Sequence, residues 1–232
     1  NAQDYFKMIK YARGRHIWVR STVNGSLLHL KDNYKKLIDS DICELQISID
    51  GTTKESFEAI RRGGNFEKVK NNSMLINNYA QKVGKMRTRM WTVLQDKNFN
   101  DLTNFPVFAA ELGFKRLTIS LDLNDWGQDS WRKRNDPVDI HKSFDLETAQ
   151  EIIQNSKALG VETTYWFIDE KYEPGNEKKL CPWPFSRAYV SSDMRVVPCC
   201  MIANPEISDL GDARKFSEVW NNNRMQDFRL AH

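Results

Sequence analysis

The sequence predicts an α/β protein built on a parallel sheet with helices packed outside it, and two patterns carry that prediction. Short β-rich runs, His16 to Thr22, Glu44 to Asp50, Lys85 to Leu94, Phe114 to Leu121 and Val161 to Phe167, are separated by stretches with helical apolar spacing. Two of the helical stretches stop at Gly113 and Gly160, the residue type that most readily takes the left-handed turn after a helix. Strands joined through helices run parallel, in an open or barrel-like sheet. No repeat of fixed period is visible.

Taken in order, residues 3–13 place Tyr5, Phe6, Ile9 and Tyr11 or Ala12 near one helical face. Asn24-Gly25 supplies a turn after the first strand, and residues 34–40 read as a short helix. In ELQISID (44–50), Leu45, Ile47 and Ile49 alternate with polar residues and the strand ends in Asp50-Gly51. Thr53 is the expected cap of a helix to Arg62, Gly63-Gly64 breaks it, and Asn65 caps a longer helix over 66–81. Further helices are expected over 102–112 and 146–159. Two stretches break the rhythm. Residues 122–145 form a long polar loop with Trp126, Trp131 and a WRKRN cluster, read either as a binding loop or as a solvated insertion. As a binding loop, Trp126, Trp131, Arg132 and Arg134 are its candidates for holding a planar or anionic substrate group. Residues 169–179, with Pro174-Gly175, read as a linker, which divides the chain into 1–170 and 171–232.

The composition, 40% hydrophobic and 28% charged, is that of a soluble globular protein. A net charge of +3 is too small to point to nucleic acid, and no apolar run approaches the length of a membrane span. No secretory signal opens the chain and Cys43 stands alone, so a reducing cytoplasm is expected rather than a disulfide framework. In that compartment clustered cysteines bind metal or react. Three of the four cysteines fall in CPWPFSRAYVSSDMRVVPCC (181–200), which reads as a hairpin turning at 191–194. A cysteine before the first strand and another after the second bring Cys181 and Cys199 within reach of one iron–sulfur cluster, with Cys200 expected to point elsewhere. The competing reading is a pair of buried thiols. Zinc is the second choice of metal, because the spacing is not CxxC-like and no histidine accompanies it. Cys43 reads as a small core residue. Gly63-Gly64 lacks the Lys-Ser/Thr of a phosphate loop, and no nucleophile elbow is present. Ser48 shares the phase of Gln46 and Asp50, which turns a polar set into a barrel, or towards solvent in an open sheet.

Several segments together resemble the radical S-adenosylmethionine (SAM) enzymes that carry a C-terminal SPASM or twitch extension. STVNGSLL (21–28) is similar to that family's TNG-containing turn, and ELQISIDGTTKESFEAIRRGGNFEKV (44–69) to its ISIDG strand and following helix. KNFNDLTNFPVFAAELGFKRLTIS (97–120) fits the next helix–strand unit. The 181–200 segment, LGDARKFSEVW (210–220) and Arg229 fit the opening of the auxiliary-cluster domain. The SPASM spacing is Cys, nine to fifteen residues, Gly, four residues, Cys. Here it runs Cys181, twelve residues, Met194, four residues, Cys199, with methionine where glycine is usual. The family's CxxxCxxC is not in this sequence, and the resemblance places it upstream of Asn1, with later SPASM cysteines beyond His232. The chain is therefore expected to be an interior piece of a longer enzyme.

The resemblance implies a partial (β/α) barrel without its first strands, followed by a small hairpin-plus-helix SPASM/twitch-like segment. It implies SAM and [4Fe–4S] clusters as cofactors, and reductive cleavage of SAM to a 5′-deoxyadenosyl radical that takes hydrogen from a peptide, protein or small-molecule substrate. An electron donor such as a flavodoxin or ferredoxin is the implied partner. Ser21, Asn24, Ser48, Asp50 and Arg61 are the candidate SAM contacts, Arg61 for the carboxylate it can grip with two nitrogens. Arg61 also reads as a helix-end cation, a part Arg62 can equally take. Cys181 and Cys199 are the candidate ligands of the auxiliary cluster. The alternative is a non-catalytic module that keeps the scaffold without the cluster.

Overall fold

The computed structural model describes residues 2–123, 125, 127–140, 144–166 and 180–231. Trp126, the linker expected at 169–179 and the expected strand end at Phe167 lie outside them. The chain forms two units, Asn1–Leu121 with Ile140–Trp166, and Asp122–Asp139 with Phe167–His232.

The first unit holds helices α1 (Ala2–Gly14), α2 (Asn33–Asp39), α3 (Lys54–Ile60), α4 (Phe66–Lys82) and α5 (Phe105–Glu111). Its strands β1 (Arg20–Val23), β2 (Glu44–Ser48), β3 (Thr88–Val93), β4 (Arg116–Ser120) and β5 (Glu162–Trp166) make one all-parallel sheet in chain order. Register sorts the side chains onto two faces. Leu45 and Ile47 stand opposite Thr88 and Met90, and Met90 opposite Leu117; all five are essentially inaccessible. Ile76 and Ala80 of α4 and Phe105 and Ala109 of α5 are equally buried, and burying one such aliphatic side chain contributes about 1.5–3 kcal/mol. A Cβ added at Gly25 would lie 3.1 Å from Ile47 and 3.2 Å from Val69 of α4, which marks where strand and helix close on one another. The other face carries Gln46 opposite Arg89 and Ser48 opposite Trp91.

Both expected caps form: Thr53 Oγ1 accepts from Ser56 N, and Asn65 Oδ1 accepts from Lys68 N at 2.8 Å. The helix expected from 102 starts only at Phe105, because Asp96–Asp101 is a 3₁₀ turn and Pro106 stands in the first helical turn, where a missing N–H costs nothing. Cys43 is half-buried, not a core residue; it sits at the strand entry, where its sulfur accepts from Val19 N at 3.3 Å.

In the second unit, the stretch expected to be a loop contains helix α6 (Asp129–Asn135). Helix α7 (Leu146–Ala158) belongs to the first unit. After a short helix α8 (Trp183–Ser186), strands β6 (Tyr189–Val190), β7 (Arg195–Val197) and β8 (Gly211–Asp212) form an antiparallel sheet. Short helices α9 (Pro205–Ser208), α10 (Phe216–Val219) and α11 (Asn223–Ala231) complete the unit. Val196, Leu210, Val219 and Met225 are its core. Gly211 has φ +144°, and a Cβ there would fall 2.7 Å from Val219, so the third strand closes on α10 only with glycine.

Candidate functional site

The C-terminal end of β2 carries the first candidate site. Asp50 is 3% exposed and both carboxylate oxygens are engaged: Oδ1 accepts from Val93 N at 2.8 Å, Oδ2 from Arg61 Nε at 2.6 Å. Its carbonyl accepts from Asn98 Nδ2, and the next turn is tied by Asp101, which accepts from Thr52 N and from Ser56 Oγ. Gly51 follows Asp50 because an added Cβ would lie 2.3 Å from Phe57 N. Arg61 is the residue after α3, and among the described residues its two terminal nitrogens donate no hydrogen bond. It lines a cleft of about 330 Å³ with Asn24, Ser26, Gly63, Gly64 and Lys68. Ser48 is 8% exposed and stands in register with Trp91, and its hydroxyl has no hydrogen-bond partner among the described residues.

The five residues expected to contact SAM do not all converge. Asn24 and Arg61 share the cleft, while Asn24 Oδ1 accepts from both Ser26 N and Ser26 Oγ. Ser48 lies on the polar face. Ser21 lies on the opposite face, level with Leu45, and its hydroxyl accepts from Tyr5 at 2.5 Å. Strand phase, a one-residue matter, separates it from Ser48.

At the other end of the same polar face is a cluster that sequence reasoning missed. Glu44, its side chain 5% exposed, forms an ion pair with Arg20 at 2.9 Å and accepts from Arg89 at 3.2 Å and Arg116 at 2.9 Å. Gln46 donates to it, and Thr22 donates to Gln46. Burial pushes the Glu44 carboxyl up, but the combined pull of the three guanidiniums holds it below the ordinary glutamate value. The available signal was that Glu44 is in phase with Gln46, Ser48 and Asp50, while Arg20 and Arg116 open their strands.

The second candidate site is the cysteine segment. Cys181, Cys199 and Cys200 are half-buried free thiols. Cys200 opens a 3₁₀ turn to Ile202, and its thiol is pushed up by burial and by the neighbouring Cys199, with a smaller effect from Cys181. Among the described residues no group of three or more His, Cys, Asp or Glu side chains is arranged to hold a metal ion. The turn between β6 and β7 does form: Ser191 N donates to Arg195 O at 2.9 Å, and Met194 takes φ +64°. That left-handed backbone is what glycine supplies without strain. Gly127 ties the 122–139 stretch to this region, since a Cβ on it would lie 2.9 Å from Ile202 Cγ2. On α6, Arg132 pairs with Asp125 at 2.9 Å, and the Arg134 guanidinium lies 5.3 Å from the Trp131 ring centre. Trp126 is outside the described residues.

Residues 181–232 match the family model of SPASM, an iron–sulfur cluster-binding domain. The mycofactocin maturase MftC of Mycobacterium tuberculosis is 26% identical over 144 residues, covering 62% of this chain and 34% of that protein. Streptococcus suis SuiB bound to precursor peptide SuiA superposes at TM-score 0.65 and 11% identity, over 97% of this chain and 52% of that one. anSMEcpe with bound AdoMet superposes at TM-score 0.59 and 14% identity, over 97% and 61%. The chain thus has the fold of the radical SAM enzymes, with a SPASM segment at its C-terminal end. It spans about a third of the length of the maturases it matches and about half that of SuiB.

Proposed function

We propose that this chain is the SAM-binding and auxiliary-cluster part of a radical SAM enzyme that modifies a peptide. One observation carries the SAM assignment: at the C-terminal end of β2 a Ser48 hydroxyl without a hydrogen-bond partner among the described residues, on a residue 8% exposed, and an arginine with two unbonded terminal nitrogens are both left over by the fold. Ligands of parallel α/β sheets sit at that end. The pair matches the chemistry of SAM, Ser48 for a ribose hydroxyl and Arg61, with Asn24 in the same cleft, for the carboxylate. The Ser21 hydroxyl, facing Tyr5, serves packing instead. SAM bound to a [4Fe–4S] cluster supplies, on reductive cleavage, the radical that takes a hydrogen atom from the substrate. Cys181 and Cys199 contribute two thiolates to the auxiliary cluster. Four are usual for one cluster, so two more ligands are needed to complete it.

A peptide substrate is supported by SuiB, whose structure holds a precursor peptide, and by anSMEcpe, whose structure with AdoMet also holds the Cp18Cys peptide. Trp131, Arg132 and Arg134, on a stretch that packs with the cysteine-bearing unit, are the residues we assign to it, together with Trp126. The functional boundary stays near residue 170, with 122–139 associated with the cluster domain. A flavodoxin- or ferredoxin-type donor in the cytoplasm supplies electrons.

The test is anaerobic reconstitution of the full-length protein, followed by iron and sulfide analysis and by assay for 5′-deoxyadenosine from SAM. Cluster-dependent SAM cleavage, with part of the iron lost in a Cys181→Ala, Cys199→Ala variant, is the expected result. SAM binding without cleavage would favour a non-catalytic scaffold, and iron content untouched by the two substitutions removes the auxiliary-cluster assignment.

A further inference from the structure

We infer that Asp50 is a positioning residue: it touches no part of the cofactor and acts by holding Arg61 in the orientation that presents its two terminal nitrogens to the SAM carboxylate. The inference rests on the functional reading above. Both Asp50 oxygens already accept within the fold, Oδ1 from Val93 N at 2.8 Å and Oδ2 from Arg61 Nε at 2.6 Å. A ribose ligand needs an acceptor that is accessible, and at 3% exposure Asp50 offers none. The geometry of the pair is also informative. A guanidinium and a carboxylate left to themselves form two parallel hydrogen bonds, as Arg195 does with Asp209, Nε to Oδ1 at 3.0 Å and Nη2 to Oδ2 at 2.5 Å. Asp50 turns one oxygen to the β3 backbone and meets Arg61 through Nε alone. The fork is left unsatisfied beside the cleft that Asn24, Ser26 and Lys68 line.

The backbone around Arg61 is held as tightly as its side chain. Arg61 N donates to Phe57 O at 2.8 Å and Arg61 O accepts from Gly64 N at 2.7 Å. Gly64 has no room for a side chain, since a Cβ would lie 2.8 Å from Arg61 O and 2.9 Å from the Phe57 ring. Asp50 is in turn fixed across the sheet to β3 and through its carbonyl to Asn98 at 3.0 Å. The chain of contacts from β3 through Asp50 to Arg61 is therefore rigid, and a preorganised fork loses less entropy when it meets its anion.

The experiment is a double-mutant cycle on SAM affinity, measured by calorimetry on the reconstituted full-length protein, with thermal unfolding recorded for every variant. Removing one charge-assisted contact is expected to weaken SAM binding about tenfold or more in Arg61→Ala, and about tenfold in Asp50→Asn. The decisive prediction is that Asp50→Asn, Arg61→Ala binds no more weakly than Arg61→Ala alone, because a residue acting only through Arg61 has nothing left to act on. Additive losses would show that Asp50 meets the cofactor directly and overturn the inference, as would unchanged affinity in either single variant. A parallel fall in melting temperature with unchanged affinity assigns Asp50 a purely structural role and overturns it too. Where Asp50→Asn fails to fold, Arg61→Lys decides: it keeps the cation but not the fork, so a loss close to that of Arg61→Ala is expected, and full affinity overturns the inference. A parent protein with no affinity for SAM overturns the functional reading itself, and the inference with it.

Discussion

Met194 occupies a left-handed backbone position, φ +64°, in a turn whose hydrogen bonds are all made without any contribution from its side chain. A non-glycine residue there carries a strain of roughly 1 kcal/mol, partly offset in glycine by greater freedom in the unfolded chain. Met194→Gly should therefore raise stability by up to about 0.5 kcal/mol in denaturant unfolding; a lower midpoint would show that the methionine side chain contributes packing that outweighs the strain. Sequence spacing picked out this position because glycine is usual there, but only the observed φ says why. Ser21 teaches the reverse. Its place near a strand end was legible, whereas its phase relative to Ser48 was set by the pairing of Ser21 with Leu45.

At the scale of elements, the long helix α4 begins at Asn65, whose side chain satisfies the N–H of Lys68 at 2.8 Å. Asn65→Ala is expected to cost about 1 kcal/mol and Asn65→Asp almost nothing, and equal stability of all three proteins in urea would remove the cap from the account. The strands and α4 were readable from sequence because a parallel sheet buries both strand faces and a long helix repeats its apolar face several times. Helix α6 was not. Its seven residues, DSWRKRN, bury no side chain, so there was no apolar stripe to read. The same holds for β8, two residues long, whose pairing depends on the absence of a Cβ at Gly211.

Across the first unit, Glu44 joins four strands through Arg20, Arg89 and Arg116. Its folded-state pKa is lower than its unfolded one, so the folded protein binds fewer protons there. The stability it contributes is present above the ordinary glutamate range and is lost as pH falls through the depressed value. Glu44→Gln leaves three guanidiniums facing one another and should cost on the order of 3 kcal/mol near neutral pH. The wild-type advantage should shrink on acidification. A difference independent of pH would show that the cost comes from packing and not from charge.

By itself the sequence determined the order of strands and helices in the first unit, the placement of Asp50-Gly51 at a strand end and of Arg61 at the end of the following helix, and the Cys181–Met194–Cys199 spacing. Each is a local pattern, written in periods of two and 3.6 residues or in fixed intervals along the chain. The tertiary structure decided which polar groups are spent and which are left over. Asp50 is consumed by Val93 and Arg61, Ser21 accepts from Tyr5, Glu44 is surrounded by arginines, and Ser48 with the Arg61 fork stays unpaired among the described residues. Hydrogen-bond partners come from residues distant in sequence, as far as 72 positions for Glu44 and Arg116. Packing brings them together, and no local pattern encodes it.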